Sequence, residues 1–203
     1  MYRYAEGNGT AATFDFITDI DFLSSTELIC TDRDNQCLRI VNFVLSTPST
    51  STFAGACTMS GHNEGHRVRF ARFKDPEHTE VNSDKSAMYV LEFRRILFMI
   101  DLTTDSVTRL LTLSSFSYDM KFLGDNLLFF AQETRVIVID CDTRKASLFA
   151  GTGDPGTAVG SFEQTRFKKA RGLLPWTNKL EELLFVADNG DDRLVGFSYH
   201  VIG

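Results

Sequence analysis

The chain has little of what announces most functions. Among 203 residues there is one tryptophan, and there are four cysteines, Cys30, Cys37, Cys57 and Cys141. No two of them form a Cys-x-x-Cys pair, which argues against a structural zinc site. Basic residues are not in excess: 21 Lys and Arg against 27 Asp and Glu leave a net charge of -6. A general nucleic-acid binder needs a basic stripe to displace phosphate counterions, so that partner class is not expected. Apolar runs such as Ile96 to Ile100 are far too short to cross a bilayer, so no transmembrane segment is expected. Met1 to Gly7 contain no apolar h-region, so no signal peptide is visible. The chain reads either as cytosolic or as a module of a longer protein. No stretch sustains a helical period, and no Walker loop, nucleophile elbow or Ser-His-Asp order is present. Gly151-x-Gly153-x-x-Gly156 matches the dinucleotide fingerprint only formally, because no helix pattern follows it.

What is present is globular and repetitive. An apolar fraction of 43% with 24% charged residues suits a packed domain, and Phe is frequent at 18. Tyr4-Ala5, Phe53-Ala54-Gly55 and Phe149-Ala150-Gly151 recur at a spacing of about 48 residues or twice that, a period that marks repeat architectures. Each period holds a hairpin whose first strand ends in an acid or amide. The first strands are Leu28 to Asp32, Tyr89 to Glu92, Phe129 to Gln132 and Phe185 to Asp188. The second strands are Leu38 to Val41, Ile96 to Asp101, Val136 to Asp140 and Leu194 to Phe197. Continuous Val, Ile and Phe runs of this length predict strands covered on both faces. With an inner strand before each hairpin and an outer strand after it, a period reads as four antiparallel strands. Four such units predict an all-β fold, a β-propeller with blades at about 14–54, 69–113, 116–150 and 166–203 within a single domain. The second blade reads as expanded near Glu77 to Ser86, and residues 1–5 as an outer strand of the preceding or last blade.

The loops between blades sharpen this. Gly151 to Gly160 leads to Arg166-Phe167-Lys168-Lys169-Ala170-Arg171-Gly172-Leu173, and Gly55 to Gly65 leads to Ala71-Arg72-Phe73-Lys74-Asp75-Pro76. The sequence here resembles the NHL-repeat β-propellers. Their blades join through Phe-Ala-Gly, a glycine loop, Ala-Arg-Phe and Pro-x-Gly-Leu, then enter an Ala-Asp-x-x-Asn-x-Arg-Ile hairpin. Phe185 to Leu194 is similar to that hairpin, and Leu28 to Ile40 less closely so. The resemblance implies a ring of six blades, of which four are here. The alternative is a small closed four-bladed ring completed by Tyr2 to Ala5. It also implies a non-catalytic module that binds a protein or other macromolecule, with no cofactor. The enzymatic alternative is a fragment of a metal-dependent lyase or lactonase, whose axial His and acid sets are not recognisable here. RNA binding is a third reading and requires a basic face.

Several clusters are candidates for chemistry. His62, Glu64 and His66 lie within one loop and are candidate zinc ligands, although their order is not that of a zincin helix. Asp188 and Asp191 are candidates for calcium, without the downstream Glu of an EF-hand. Asp32, Glu92, Gln132 and Asp188 hold equivalent places, so they either rim a channel mouth or cap their own turns. Arg166, Lys168, Lys169 and Arg171 form a small basic cluster. Phe14, Phe16, Phe22, Phe70, Phe73, Phe116, Phe122, Phe162 and Phe167 are expected between blades as core. Cys30 and Cys37 flank one hairpin and are candidates for a disulfide, the alternative being four free thiols. Asn8 opens the sequon Asn8-Gly9-Thr10. Sequon, disulfide candidate and the Ser/Thr-rich stretch from Ser46 to Thr52 together favour an extracellular module.

Overall fold

The computed structural model describes residues 4–124, 126–178 and 181–199. Its regular structure is β, apart from one 3-10 turn at Gly9–Ala11. The chain divides into two compact units, Met1–Thr112 and Leu113–Gly203, each built on two antiparallel sheets.

In the first unit, one sheet contains β1 (Gly7–Asn8), β2 (Ile17–Ser24), β3 (Glu27–Asp32), β4 (Cys37–Asn42) and β5 (Ser49–Ala54), in the order β1-β5-β4-β3-β2. The other contains β6 (Gly65–His66), β7 (Pro76–Val81), β8 (Ala87–Glu92), β9 (Ile96–Asp101) and β10 (Ser106–Thr112), in the order β6-β10-β9-β8-β7. The second unit holds β11 (Ser117–Leu123), β12 (Leu127–Gln132), β13 (Arg135–Asp140) and β14 (Lys145–Ala150) in one meander. Its other sheet is β15 (Ala170–Thr177), β16 (Glu182–Asp188) and β17 (Arg193–Tyr199). These are the four blades of a β-propeller fold. Each is built on strands joined to their sequence neighbours, as the spacing of apolar runs and turns predicts, with the two-residue β1 and β6 added beside β5 and β10. One hairpin of each blade closes with a left-handed residue, Gln36, Asp105, Arg144 or Asp192, just before the next strand.

Apolar residues of adjacent sheets fill the space between them. In the first unit Ile29, Leu38, Phe73, Met88 and Phe98 are fully buried, and the Phe73 and Phe98 rings meet edge to face at 5.7 Å. In the second, Phe129, Phe167, Leu184 and Val186 form the equivalent layer. The recurring phrase acquires a geometric meaning here. Ala54 and Ala150 are fully buried at the end of an outer strand. The next residues, Gly55 (φ +84°) and Gly151 (φ +94°), turn into the inter-blade loop. A Cβ on Gly55 would stand 2.9 Å from the Phe73 ring, and one on Gly151 would stand 2.6 Å from the Thr134 carbonyl oxygen. Only glycine combines that backbone angle with that closeness.

Inner strands would otherwise expose unpaired edge amides. Aspartates on the neighbouring inner strand accept them. Asp19 takes the Thr79 N–H at 2.8 Å and Asp21 the Val81 N–H at 2.9 Å. In the second unit Asp119 takes the Leu173 N–H at 2.7 Å. An acid aimed at a strand edge leaves no free ladder for another chain.

Three expectations are corrected. Cys37 pairs with Cys57, Cα atoms 4.9 Å apart, and not with Cys30. In the β3–β4 register Cys30 lies opposite Arg39 and Cys37 opposite Asp32. The two thiols are therefore diagonal rather than facing, and the loop after β5 brings Cys57 to Cys37 instead. Cys30 remains a buried thiol, pushed up to about 12 by burial and by the Asp32 charge. The stretch read as an expansion at Glu77 to Ser86 begins within a strand, β7, and ends in a turn. Phe73 and Phe167 are core, but Phe16, Phe22, Phe70 and Phe116 are exposed. The wedging positions are those that follow the glycine loops; the others lie on bends, turns or edges. At the start of the described residues, Ala5 bridges to Thr13 and Gly7–Asn8 joins β5 of the first sheet. The part of the 1–5 strand at residues 1–3 lies outside the described residues, as does His200.

Candidate functional site

The four hairpin acids and amides are buried, and each ties its blade to the loop that enters it. Asp32 accepts the Asp15 N–H at 2.7 Å, Asn35 Nδ2 at 2.9 Å and Arg39 Nη1 at 3.1 Å. Asp188 accepts the amides of Lys168 and Lys169 and pairs with Arg193 at 3.1 Å. Gln132 donates to the Ser115 carbonyl and accepts Arg135 Nε at 2.9 Å. Glu92 accepts the Lys74 amide and meets His62 Nδ1 at 2.6 Å. The backbone contacts of all four run to the segment that enters the blade, and not to the backbone of their own hairpin turns. Three latches use an arginine from the following strand, and the second blade borrows a histidine from the inter-blade loop.

The first latch has an added function. Arg39 is fully buried, its guanidinium 4.7 Å from the Tyr4 ring centroid and 5.1 Å from that of Phe14. It donates to the Ala5 and Thr13 carbonyls, so one side chain clamps the entering segment onto the blade.

The Glu92 latch is the titratable one. Burial is the main cause that pushes its carboxyl up to about 7; the Lys74 amide and the His62 ring pull it back, and Asp75 adds to the rise. Between about pH 4.5, where a free glutamate titrates, and about pH 7 the folded chain holds a proton that the unfolded chain has lost. This contribution is complete below the unfolded pKa and disappears as pH rises through the folded one. Urea unfolding of wild type should therefore weaken from pH 4.5 to 7 by on the order of 2 kcal/mol more than that of Glu92→Gln.

The metal candidates are not gathered. His62 is committed to Glu92, Glu64 is exposed, and His66 Nδ1 accepts the Val68 amide at 3.3 Å. Asp191 pairs with Lys168 at 2.9 Å and with Arg193. Among the described residues no group of three or more His, Cys, Asp or Glu is placed to hold a metal ion. In the basic cluster Arg171 lies 3.3 Å over the Tyr118 ring centroid and pairs with Glu133. Asn8 is exposed on the outer strand β1.

The arrangement with the clearest signature of recognition was not read from the sequence. In the first unit Phe16 and Phe93 have left-handed backbones, φ 61° and 49°, and are 60% and 47% exposed. Bulky residues avoid this region, at a cost of about 1–3 kcal/mol each, and such strain collects at functional sites. Each ring carries a cation: the Arg33 guanidinium at 5.3 Å from Phe16, and Lys74 Nζ at 5.6 Å from Phe93. Glu77, nearly buried, joins the two groups through Arg33 Nε at 3.4 Å and Arg94 Nε at 2.9 Å. Gln36 braces the same surface, with Asp75 donating its amide to Gln36 Oε1 at 2.9 Å. The local origin is the repeat itself. Phe16 O accepts the Arg33 amide and Asp75 O the Phe93 amide, so equivalent bends of two blades present their turns side by side. Phe followed by two arginines at Phe93-Arg94-Arg95, in a turn that favours small polar residues, was the available signal.

With this geometry established, comparison with known proteins places the fold and no more. No family model and no curated protein matches the chain. Solved structures do. An auxiliary nutrient binding protein from Bacteroides ovatus gives TM-score 0.57 at 11% identity, over 97% of this chain and 59% of its own. A 6-phosphogluconolactonase-like protein from Bacteroides uniformis gives 0.61 at 10% identity, over 92% and 51%. The extracellular domain of a hybrid two-component system from B. thetaiotaomicron gives 0.56 at 11% identity, over 88% of this chain and 23% of the other. The chain thus spans from 23% to 59% of these proteins' length. At such identities the likeness is one of β-propeller fold.

Proposed function

We propose that the chain is a non-catalytic propeller module that binds a protein partner through the surface formed by Phe16, Arg33, Lys74, Glu77, Phe93 and Arg94. The observation that carries this reading is the pair of strained, exposed phenylalanines, each under a cation and joined through one buried acid. Aromatic and arginine side chains are enriched among the anchors of protein interfaces, and a rigid blade presents them without an ordering cost. The blade junctions, with Ala-Gly at the crossing and a buried Phe beneath, support a divergent relative of the NHL-type propellers. The Cys37–Cys57 disulfide supports an oxidising compartment, hence an extracellular module. Neighbours that bind nutrients or form an extracellular domain support binding over catalysis.

The test is quantitative capture with the chain immobilised, comparing wild type with Phe16→Ala/Phe93→Ala. The specific partner should be lost by about 100-fold, while the unfolding free energy stays within about 1 kcal/mol, because both rings are largely exposed and alanine keeps the same left-handed backbone. Equal capture by both proteins contradicts the reading.

A further inference from the structure

A second concave feature belongs to the unit Leu113–Gly203. The ends of β11, β15 and β16 surround a hollow of about 450 Å³, within the range of ligand pockets, lined by Phe122, Leu123, Gly124, Pro175, Thr177 and Glu182. The β15–β16 register sets Thr177 directly opposite Glu182, placing a hydroxyl beside a carboxylate at the hairpin end. Phe122, Leu123 and Pro175 add apolar side chains to a lining whose exposed surface is mainly polar. Among the described residues Glu182 is the one charged side chain in this lining. Its Oε2 is enclosed, yet no hydrogen bond reaches it, unlike the hairpin acids above, which are supplied with amides or a cation. Among the described residues no donor or cation serves that oxygen, and an enclosed carboxylate oxygen is stabilised by one.

We propose that this hollow binds an alkylammonium group: a primary amine on a short aliphatic stem, borne by a lysine side chain or by a free amine. Glu182 meets the charge, Thr177 Oγ1 accepts a second N–H, and Phe122 and Pro175 cover the methylenes. The assignment concerns residues other than those of the Phe16–Phe93 surface, so either can fail without the other.

Isothermal titration calorimetry reads binding to the chain directly and supplies the signal. The experiment titrates the whole chain with n-butylammonium and with Nα-acetyl-lysine methylamide. The uncharged norleucine analogue and butyrate serve as controls. Both cations should saturate the signal, with the controls at least about tenfold weaker and Glu182→Gln weakening the cations at least about tenfold. Tighter binding of the lysine derivative assigns the site to a protein-borne side chain, and parity assigns it to free amines. Norleucine binding equal to lysine, unchanged affinity in Glu182→Gln, or no saturable signal at tens of millimolar overturns the proposal. The norleucine arm uses wild-type protein, so it decides even where Glu182→Gln unfolds.

Discussion

Replacing Arg39 by methionine should cost about 3–5 kcal/mol and release the segment that enters the first blade. The side chain is fully buried and serves five partners: Asp32, the carbonyls of Ala5 and Thr13, and the rings of Tyr4 and Phe14. Methionine retains much of the volume but leaves Asp32 buried without its cation. Burial already pushes the Asp32 carboxyl up, and Arg39 is one of the groups pulling it back. Lysine should not rescue, since one ammonium cannot reproduce a planar fork held between two rings. The Asp32→Asn/Arg39→Met double variant should recover part of the loss, because the uncompensated charge is gone. Hydrogen exchange gives the structural readout: the Thr13 amide, bonded to the Ala5 carbonyl at 3.1 Å, should lose protection in Arg39→Met before the β3–β4 ladder does.

Gly151→Ala is the second large effect, with an expected loss of about 3 kcal/mol or more. The added Cβ would lie 2.6 Å from one backbone atom and 2.8 Å from another in the β12–β13 hairpin, at φ +94°. Backbone cannot swing aside as a side-chain tip can. Gly153 provides the control, since its φ of +90° is nearly the same but nothing lies within 4 Å of its Cβ position. Gly153→Ala should cost only the backbone strain, about 1 kcal/mol. Chemical denaturation of the two variants separates left-handed strain from crowding at the blade crossing. Equal losses would mean that the Phe-Ala-Gly phrase is about the turn alone.

These two sites show which parts of the molecule were legible in its sequence. Ala54-Gly55 and Ala150-Gly151 repeat because the same crossing is built twice, and a repeated geometric demand leaves a repeated phrase. The hairpin acids were legible in position, and their roles fell between two stated alternatives. What escaped was set by register or backbone angle. Cys30 and Cys37 flank one turn, but a two-residue offset in the ladder separates them, and the partner arrives on a loop. Strand β7, Pro76–Val81, falls where the sequence reads as an expansion, because it buries the polar Glu77, Thr79 and Glu80 and so shows no apolar run. The strands β1 and β6, two residues each, carry no pattern at all. Phe16 and Phe93 read as ordinary apolar residues, since composition does not reveal a positive φ. The side chains proposed to bind are therefore those on which local sequence preference and observed backbone disagree.

Site-specific photo-crosslinking addresses the binding surface directly. A benzophenone amino acid is placed in turn at positions 16 and 93, and at the exposed control positions Leu45 and Leu148. Irradiation is carried out with the chain in its source extract. The proposed function predicts one adduct of the same mass from positions 16 and 93, competed by unlabelled wild type, and none from positions 45 and 148. Adducts of equal yield from all four positions, or none from 16 and 93 while a control position labels, would contradict it.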